Sequence, residues 1–369
     1  MLDPITHVLS RIESGLDRLK LSAKWRFGWW DDLNVIPYVS YGRPDRFRVR
    51  GRVLDDKRTD REDDLTRLGN VLLTIRRFES DEIPGARLRL THGRVSVETT
   101  TDDDGYFEFE FAPDPAPDAS EPWHEVHLEL LAPSVGEPAT ATGRVVLPPS
   151  GAEFGVVSDV DDTVLVTGAT DKLRFARTVL LNNATTRRVF PGVGALYRAL
   201  VAGPDGSGRN PIFYVSSSPD NLRRQFVGTM EHRGVPAGPL FLKNFGIDPG
   251  KFIKGGHSEH KLDRIEALLD FYPGLPFVLV GDSGQEDPEI YQEAVRRHPS
   301  RIRAVIVRDV TDPRRDTVVH QIARDVRARG VPMHLAESSE AAAEWAADQG
   351  LVASGAVAAV RAASQDEDR

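Results

Sequence analysis

The chain has 369 residues, no cysteine, and 56 Asp and Glu residues against 47 Lys and Arg, which gives a formal net charge of -9. The length predicts two or three domains, and the lack of cysteine excludes disulfide bonds, thiolate-bound metals and a cysteine nucleophile. The acidic balance disfavours a nucleic-acid partner, and without a signal-peptide pattern or a long uncharged apolar run we expect a cytoplasmic protein.

The N-terminal segment, residues 1–34, is predicted to form an amphipathic helix followed by an aromatic cluster. Apolar residues from Ile5 to Leu19 recur at helical spacing after Pro4, and three tryptophans lie between Trp25 and Trp30. A basic amphipathic helix beside tryptophans can lie on an anionic bilayer, so peripheral membrane contact through residues 1–30 is one interpretation. The other is that the helix and the tryptophans pack on the next domain.

Residues 35–150 alternate polar and apolar side chains with a period of two, which is typical of half-buried β-strands. Asp104-Gly105 is the clearest turn signal and leads into one of these segments. Short strands at this spacing predict a β-sandwich of the immunoglobulin or transthyretin-like kind. The predicted strands are Arg46 to Val53, Ala86 to Leu90, Val95 to Thr99, Tyr106 to Phe111, Glu125 to Leu130 and Ala141 to Leu147.

Residues 151–335 change to uniformly apolar strands that alternate with helical segments, which predicts an α/β domain with a doubly wound parallel sheet. Residues 336–369 are predicted to form a C-terminal helix, near Glu337 to Ala347, and a polar tail. Ser218 and Asp287 are predicted to cap helices. The predicted strands are Phe154 to Val157, Ile212 to Val215, Leu240 to Leu242, Phe277 to Val280 and Ala304 to Val307. The predicted helices are Asp171 to Leu181, Gly192 to Val201, Pro219 to Arg233, Lys261 to Tyr272 and Pro288 to Arg297.

Acidic, hydroxyl and lysine residues stand just beyond the predicted strands of the α/β domain. Doubly wound sheets place their working residues at these carboxyl ends, so the residues are expected to form one site. In chain order they are Asp159, Asp161 and Thr163 after the first strand, Ser216 and Ser217 after the second, Lys261 at the start of a helix, and Asp282 and Asp287 after the fourth.

These motifs resemble, in order and in setting, the four motifs of the haloacid dehalogenase superfamily of phosphotransferases, over about residues 151–312. Within that superfamily, Asp159-Val-Asp-Asp-Thr, Val215-Ser-Ser-Ser-Pro and Asp282-Ser-Gly-Gln-Glu-Asp-Pro, with a preceding β-sandwich, resemble the actin-patch phosphatidate phosphatase family. The resemblance implies an enzyme with a haloacid dehalogenase-like phosphatase domain. The implied reaction converts phosphatidate to diacylglycerol and phosphate.

The resemblance and the chemistry of the residues imply catalytic roles. Asp159 is expected to attack phosphorus and give an aspartyl-phosphate, and Asp161 to act as general acid and then as general base. Ser216 is expected to hold phosphoryl oxygens, and Lys261 to neutralise the developing charge, with Lys254 as its nearest substitute. The expected substrate-binding residues are Thr163, Ser217 and Lys254.

Magnesium is the expected cofactor. Two carboxylates as close as Asp159 and Asp161 raise each other's proton affinity unless a cation lies between them, and carboxylates with waters are the Mg²⁺ pattern. His257 and His260 are assigned to the surface or the substrate loop, because no third nitrogen ligand accompanies them. The expected ligands are the Asp159 side chain, the Asp161 backbone carbonyl and the Asp282 side chain, with Asp287 behind them.

The substrate follows from how little sequence remains for a cap domain. Core helices and loops need most of the residues between Asp161 and Ser216 and between Leu242 and Lys261, so the site is predicted to be nearly capless. An open site favours a bulky or membrane-embedded substrate, and a phosphate-bearing lipid is the expected partner. Two alternatives stay open: a phosphatase for soluble phosphomonoesters or phosphoproteins, and a non-catalytic membrane or protein adaptor that uses the β-sandwich.

Overall fold

The computed structural model describes residues 30, 33–55, 81–134, 136–161, 163–164, 190–206, 208–243, 257–310 and 313–367. Some sequence predictions lie outside these residues, namely the N-terminal helix, the tryptophans before Trp30, the helix from Asp171 to Leu181, and Lys254. The described part contains a mixed β-sheet followed by a parallel β-sheet with helices.

The first sheet contains nine strands. They are β1 (Leu33–Pro37), β2 (Ser40–Arg43), β3 (Arg46–Asp55), β4 (Asp81–Glu82), β5 (Arg87–His92), β6 (Val95–Thr100), β7 (Tyr106–Phe111), β8 (Trp123–Ala132) and β9 (Thr140–Val146). Their order is β1-β3-β2-β9-β8-β5-β6, with β4 and β7 also paired to β3, and the β2–β9 pair is parallel. The sequence predicted six of these strands. β3 is long enough to pair along both of its edges, and it links the described strands into one mixed hydrogen-bonded sheet.

Alternate side chains of this sheet fill one hydrophobic core. Every second residue of β3 from Phe47 onward is buried, and the same holds for β7 from Phe107 onward. Trp30 belongs to this core and is 7% exposed. The one tryptophan of the predicted cluster that the structure describes therefore packs on the mixed sheet. Gly105 has a φ of 75° in the predicted turn, a conformation that favours glycine.

The second sheet is parallel and contains six strands. They are β10 (Gly155–Asp159), β11 (Ile212–Pro219), β12 (Leu240–Lys243), β13 (Phe277–Asp282), β14 (Ile302–Arg308) and β15 (Met333–Ala336). Their order is β12-β11-β10-β13-β14-β15, so the first strand in the chain lies near the middle and the order reverses there. The predicted α/β class with a parallel sheet is confirmed. The sequence prediction lacked β15.

Helices cover both faces of the parallel sheet. They are α1 (Val193–Ala202), α2 (Arg223–His232), α3 (His257–Phe271), α4 (Asp287–Arg297), α5 (Pro313–Ala328), α6 (Ser339–Asp348) and α7 (Ala356–Glu367). Side chains of α1, α2, α6 and α7 share one core with the sheet, and those of α3, α4 and α5 share the other. The sequence prediction lacked α5, and the described part of the predicted polar tail, Ser364 to Glu367, belongs to α7. None of the described helices combines the length and apolar character needed to cross a membrane.

Two predicted helix caps are wrong. Ser218 still belongs to β11, and a 3-10 turn at Asp220–Leu222 separates it from α2. Asp287 is the first residue of α4, whose N-cap position is Glu286. Both side chains instead make hydrogen bonds in the candidate active site.

The two sheets are joined by an aromatic contact. Tyr41 of β2 is buried against three phenylalanine rings, with centroids 4.9 to 6.2 Å away: Phe213, Phe241 and Phe271. Beside it, Tyr272 Oη donates to the carbonyl oxygen of Gly42 at 3.1 Å. These contacts fix the mixed sheet against α3 and the parallel strands.

Candidate active site

The candidate site lies at the carboxyl-end edge of the parallel sheet, where the strand order reverses. Strand β10 pairs with β11 on one side and with β13 on the other. Doubly wound sheets open a crevice at such a reversal, and ligands bind there. Asp159 ends β10 and Asp282 ends β13, so the chain brings two acidic residues to the crevice from neighbouring strands.

Three buried carboxylates share one lysine at this edge. Carboxylate oxygens of Asp159, Asp282 and Asp287 lie within 4.8 Å of one another. Nζ of Lys261, at the first turns of α3, lies 2.7 Å from Asp159 Oδ1 and 2.6 Å from Asp287 Oδ1. Each of the four residues is at most 5% exposed. One ammonium group therefore faces three carboxylates away from bulk solvent.

Burial and the excess of negative charge shift the pKa values of these groups. Burial raises the pKa of Asp159 well above its usual value, against the effect of Lys261 and reinforced by Asp287. Burial and the neighbouring Asp287 also raise the pKa of Asp282 to about 7. Burial alone would lower the pKa of Lys261, but the Asp159 and Asp287 carboxylates raise it above its usual value. Lys261 is therefore held in its charged form, whereas the neighbouring carboxylates have too few positive groups around them to balance their charge.

Asp161 is held by two serines of β11. The hydroxyl of Ser216 donates to Asp161 Oδ2 at 2.5 Å, and that of Ser218 donates to the same oxygen at 2.7 Å. The Ser218 amide in turn donates to Ser216 Oγ at 2.9 Å. The β11–β12 register shifts between Val215 and Pro219, so the serines lie in a bulge. Bulges re-aim side chains in this way and are over-represented next to active sites.

Other polar groups orient the aspartates. Thr163 Oγ1 donates to Asp159 Oδ2 at 3.1 Å. Asp282 Oδ1 accepts the amides of Gly284 and Gln285 at 2.7 and 3.0 Å, and the Gln285 side chain donates to the Asp161 carbonyl oxygen at 2.9 Å. These bonds fix the carboxylate directions, which a precise site requires.

The structure brings most of the sequence-predicted site residues together. Lys254 lies outside the described residues. The Ser217 hydroxyl, next to Ser216, is buried and has no hydrogen-bond partner among the described residues. His260 is outside the carboxylate group, and burial with the nearby Arg264 lowers its pKa to about 4. The residues that meet are Asp159, Asp161, Thr163, Ser216, Lys261, Asp282 and Asp287.

The donor set fits a hard metal ion. It consists of oxygen ligands only, and one lysine does not balance the three carboxylates. Asp159 Oδ1 contacts the ammonium group but accepts no well-aligned hydrogen bond. Buried carboxylates are paired or bind metals, so this group could hold a divalent cation with oxygen preference.

Gly281 makes room for the group. A Cβ atom at this position would lie 2.5 Å from Asp287 Oδ2 and 2.8 Å from Tyr291 Oη. A side chain would therefore push Asp287 away from Lys261 and Asp282. Glycine before the acidic residue is a signal that the sequence carried, although its packing role was not predicted.

Three residues of this region were not predicted from the sequence: Ser218, Gln285 and Arg308. Ser218 was assigned to a helix cap, and Gln285 lies unremarked within the Asp282 motif. Arg308 stands in register with Asp282 on the neighbouring strand, and its guanidinium carbon lies 3.6 Å from the centroid of the Phe190 ring. Burial lowers the pKa of Arg308 to about 10. An arginine at the end of an apolar strand was the available signal.

A comparison with known protein families finds a match to the part of the chain that contains this site. Residues 154–309 match the family model described as phosphatidate phosphatase APP1, catalytic domain. The resemblance to the phosphatidate phosphatase family, which the motifs indicated, is confirmed. The matched span contains the carboxylate group, its lysine and the serines of β11.

Two curated relatives resemble the same part of the chain. Phosphatidate phosphatase APP1 of Saccharomyces cerevisiae is 29% identical over 198 residues, which cover 50% of this chain and 32% of the yeast protein. An uncharacterized protein of Schizosaccharomyces pombe is 25% identical over 159 residues, 42% of this chain and 25% of that protein. The chain thus spans about a third or less of the length of these relatives.

Among solved structures, a carbohydrate acetylesterase from Xanthomonas citri aligns with 80% of this chain and 74% of its own. Its TM-score is 0.28 and its identity 12%, too low to support a statement about fold or activity.

Proposed function

We propose that the protein is a Mg²⁺-dependent phosphomonoester hydrolase that acts on phosphatidate through an aspartyl-phosphate. The observation that carries the proposal is the buried group of Asp159, Asp282 and Asp287 around Lys261, inside the span that matches the APP1 catalytic-domain model. The name of the yeast relative suggests the substrate. The order of the motifs supports a haloacid dehalogenase-like, nearly capless domain.

Phosphoryl transfer to Asp159 is the first proposed step. A carboxylate oxygen of Asp159 forms a bond to phosphorus while the bond from phosphorus to the ester oxygen breaks. Asp161 gives its proton to the departing oxygen, which leaves as the alcohol, here diacylglycerol. Asp161 Oδ2 accepts both serine hydroxyls, so Oδ1 is the oxygen expected to carry that proton.

Hydrolysis of the aspartyl-phosphate is the second step. Asp161, now a carboxylate, takes a proton from a water molecule, whose oxygen forms a bond to phosphorus as the bond to Asp159 breaks. Inorganic phosphate leaves, Asp159 returns as a carboxylate, and Asp161 is again protonated. Every proton and bond is thereby accounted for by two residues and one water molecule.

The remaining site residues are proposed to hold the phosphoryl group. Lys261 is 2.7 Å from the nucleophile, and a charged group at that place offsets the charge that develops on the phosphoryl oxygens. When substrate binds, the Ser216 hydroxyl is proposed to turn from Asp161 Oδ2 to a phosphoryl oxygen, while Ser218 keeps its hydrogen bond to Asp161. The Ser217 hydroxyl is proposed to donate to the phosphoryl oxygens as well. The other proposed substrate contacts are Thr163 and Lys254.

Magnesium is proposed to be held by the Asp159 and Asp282 side chains and the Asp161 carbonyl, with Asp287 behind them. When bound, the ion supplies positive charge that offsets the carboxylates and the phosphoryl group. Gln285 orients the Asp161 carbonyl through its 2.9 Å hydrogen bond. Asp287 accepts hydrogen bonds from Lys261 Nζ and from the Asp282 amide. It therefore holds the first turns of α3 next to the end of β13.

We further propose four segments with separate tasks. Residues 1–34 would contact the membrane or pack on the protein, residues 35–150 would dock or orient the enzyme as a β-sandwich, and residues 151–335 would carry catalysis. Residues 336–369 would complete the fold of the catalytic domain. A cytoplasmic enzyme that touches membranes peripherally fits a lipid substrate.

Phosphate release from phosphatidate in detergent mixed micelles tests the proposal. We expect turnover with Mg²⁺, loss of turnover with EDTA, and no phosphate release by Asp159→Asn, which keeps the shape of the side chain but removes the nucleophile. Turnover by Asp159→Asn would contradict the covalent mechanism. Full activity in EDTA would contradict the metal assignment.

A parallel panel separates the alternatives. The panel contains p-nitrophenyl phosphate, soluble phosphomonoesters and a phosphopeptide, each with Mg²⁺. Faster turnover of a soluble substrate than of phosphatidate would favour a soluble or protein phosphatase. Absence of turnover on every substrate would favour an adaptor that works through the mixed sheet.

A further inference from the structure

Asp220 connects the mixed sheet to the strand that carries the active-site serines. It follows β11 directly and is 7% exposed. Its Oδ2 accepts the hydroxyls of Tyr38 at 3.0 Å and Tyr106 at 2.9 Å. Tyr106 begins β7 of the mixed sheet, and Tyr38 lies in the connection between β1 and β2 of that sheet. Its Oδ1 accepts Arg223 Nε at 3.0 Å and Nη2 at 2.6 Å. Both carboxylate oxygens are therefore used, one by each half of the molecule.

Arg223 completes this junction cluster, which we define as Tyr38, Tyr106, Asp220 and Arg223. The Arg223 guanidinium lies over the Tyr38 ring, and its Cζ is 3.7 Å from the ring centroid. Its Nη1 donates to the Leu240 carbonyl oxygen of β12 at 2.8 Å. Asp220 is consequently tied to β12 through Arg223 and to the mixed sheet through two hydroxyl groups.

The junction cluster lies next to the point where the backbone pairing between β11 and β12 is interrupted. Val215 pairs with Phe241 and Pro219 with Lys243, and the residues between them form the bulge that carries Ser216 and Ser218. Regular β11–β12 pairing does not fix the bulge, so its far end depends on Pro219 and Asp220. Ser216 and Ser218 lie two to four residues from Asp220 and hold Asp161 Oδ2.

The hydroxyl groups of Tyr38 and Tyr106 stay protonated and therefore remain hydrogen-bond donors. Burial, and then the Asp220 charge, raise the pKa of both Tyr38 and Tyr106 above their usual values. Burial would raise the pKa of Asp220, but Arg223 and the two hydroxyls hold it below its usual value. The carboxylate is thus charged and the tyrosines protonated, and charge-assisted hydrogen bonds of this kind are the strong ones.

We infer that the mixed sheet is a positioning part of the active site. Through Tyr38 and Tyr106 it fixes Asp220, Asp220 fixes the end of the serine bulge, and the bulge sets the direction of Asp161. Tyr38, Tyr106 and Asp220 are positioning residues, since their side-chain hydrogen bonds join one another and Arg223 and reach none of the proposed metal ligands. The inference rests on the proposed function, because it assigns the sheet a task in the step that Asp161 performs.

The test compares Tyr38→Phe/Tyr106→Phe with the wild type in the full chain, on p-nitrophenyl phosphate and on an alkyl phosphate. A displacement of about 1 Å at a catalytic group can cost about 100-fold in rate, so we expect at least a tenfold loss of kcat on the alkyl phosphate. We expect little change in KM. The loss on p-nitrophenyl phosphate is expected to be smaller, because this leaving group needs little help from an acid.

The matched control is Tyr272→Phe. Its hydroxyl also donates across the junction, to Gly42 O, but far from β11 in the sequence. A purely structural role predicts similar losses of thermal stability and no leaving-group dependence in either variant. Asp220→Asn is the second test variant, because it keeps the shape of the side chain and loses the charge that pairs with Arg223.

The outcomes separate the two proposals. An active wild type with unchanged kcat and unchanged leaving-group dependence in Tyr38→Phe/Tyr106→Phe and in Asp220→Asn would overturn the positioning inference and leave the phosphatase proposal intact. A wild type that hydrolyses no phosphomonoester would overturn the phosphatase proposal and the inference with it. If the double variant does not fold, a normal kcat in folded Asp220→Asn overturns the inference.

Discussion

Two regions of the molecule gather charges, and they do so in opposite ways. On the outer face of β3 and β7, Arg48 pairs with Glu110 and Arg50 with Glu108 across neighbouring strands, and each of these side chains is 30 to 47% exposed. At the edge of the parallel sheet, Asp159, Asp282 and Asp287 are buried around one lysine. In the first region, positive and negative charges balance at the solvent-exposed surface. In the second region, an excess of negative charge is buried in the interior.

The difference shows which charge cluster indicates function. The ion pairs of Arg46, Arg48 and Arg50 with Glu108 and Glu110 are called the arginine ladder below. Exposed ion pairs contribute about 0 to 1 kcal/mol each, so the arginine ladder contributes little to stability. Buried groups of one sign are costly unless a ligand or a metal balances them, so the acidic cluster is a candidate functional site that could hold a cation. The four predictions below separate the two regions by the size of the effects they show.

Among the variants that keep the nucleophile, the largest effect is expected from Asp161→Asn. Without the acid, turnover of an alkyl phosphate should fall about 10³-fold, because the departing oxygen receives no proton. Turnover of p-nitrophenyl phosphate should fall much less. The measurement is kcat for both substrates, and equal losses on the two would contradict the acid role of Asp161.

Lys261→Met is expected to have the next largest effect. It removes the ammonium group that contacts Asp159 and Asp287, and the lost stabilisation of phosphoryl charge should lower kcat about 100-fold. Lys261→Arg serves as the control, since it keeps the charge and should retain part of the activity if it fits. A kcat within about twofold of the wild type in folded Lys261→Met would show that another residue neutralises the phosphoryl group.

Metal removal should make stability depend on pH. In the metal-free protein the pKa of Asp282 is about 7, above its unfolded value near 4, so folding favours the protonated form. The metal-free protein should therefore be most stable below about pH 4, with respect to this group, and lose that contribution as pH rises to about 7. We expect Mg²⁺ to raise the melting temperature more at pH 8 than at pH 5.5, because ligands must be deprotonated. An equal rise at both pH values would contradict the assignment.

The smallest effect is expected from Glu110→Gln in the arginine ladder. This change breaks the pairs with Arg46 and Arg48 and should lower the free energy of unfolding by less than about 1 kcal/mol. Activity should stay within about twofold of the wild type. Denaturant unfolding and kcat on p-nitrophenyl phosphate provide the two numbers. A loss of several kcal/mol would mean that the ladder supports the fold, against the comparison drawn above.

The sequence predicted the parts of the fold that local patterns determine. Two-residue alternation located β3, β7 and β8, and uniformly apolar runs located β10 to β14. Strands β1 and β2, with the sequences LNVIP and SYGR, neither alternate strictly nor form an uninterrupted apolar run. Helix α5 carries charged residues over most of its surface, so its apolar stripe of Val319, Ile322 and Val326 was overlooked.

The site was predicted where strand ends carry reactive residues, and missed where contacts depend on tertiary structure. Asp159 and Asp282 stand at the ends of apolar strands, which sequence alone reveals. The hydrogen bond from Ser218 to Asp161 depends on the bulge in β11, and the contacts of Asp220 join residues 114 and 182 positions apart. No local pattern encodes such pairings.

The position of β10 has a consequence for biosynthesis. It is the first strand of the parallel sheet to emerge from the ribosome, yet it lies between β11 and β13 and completes its pairing only after the chain has been made as far as Asp282. An apolar strand must therefore wait, half paired, while the chain grows, and long-range parallel pairing is slow to form. Nascent chains shorter than this would expose β10, and their yield should depend on chaperones that shield apolar strands.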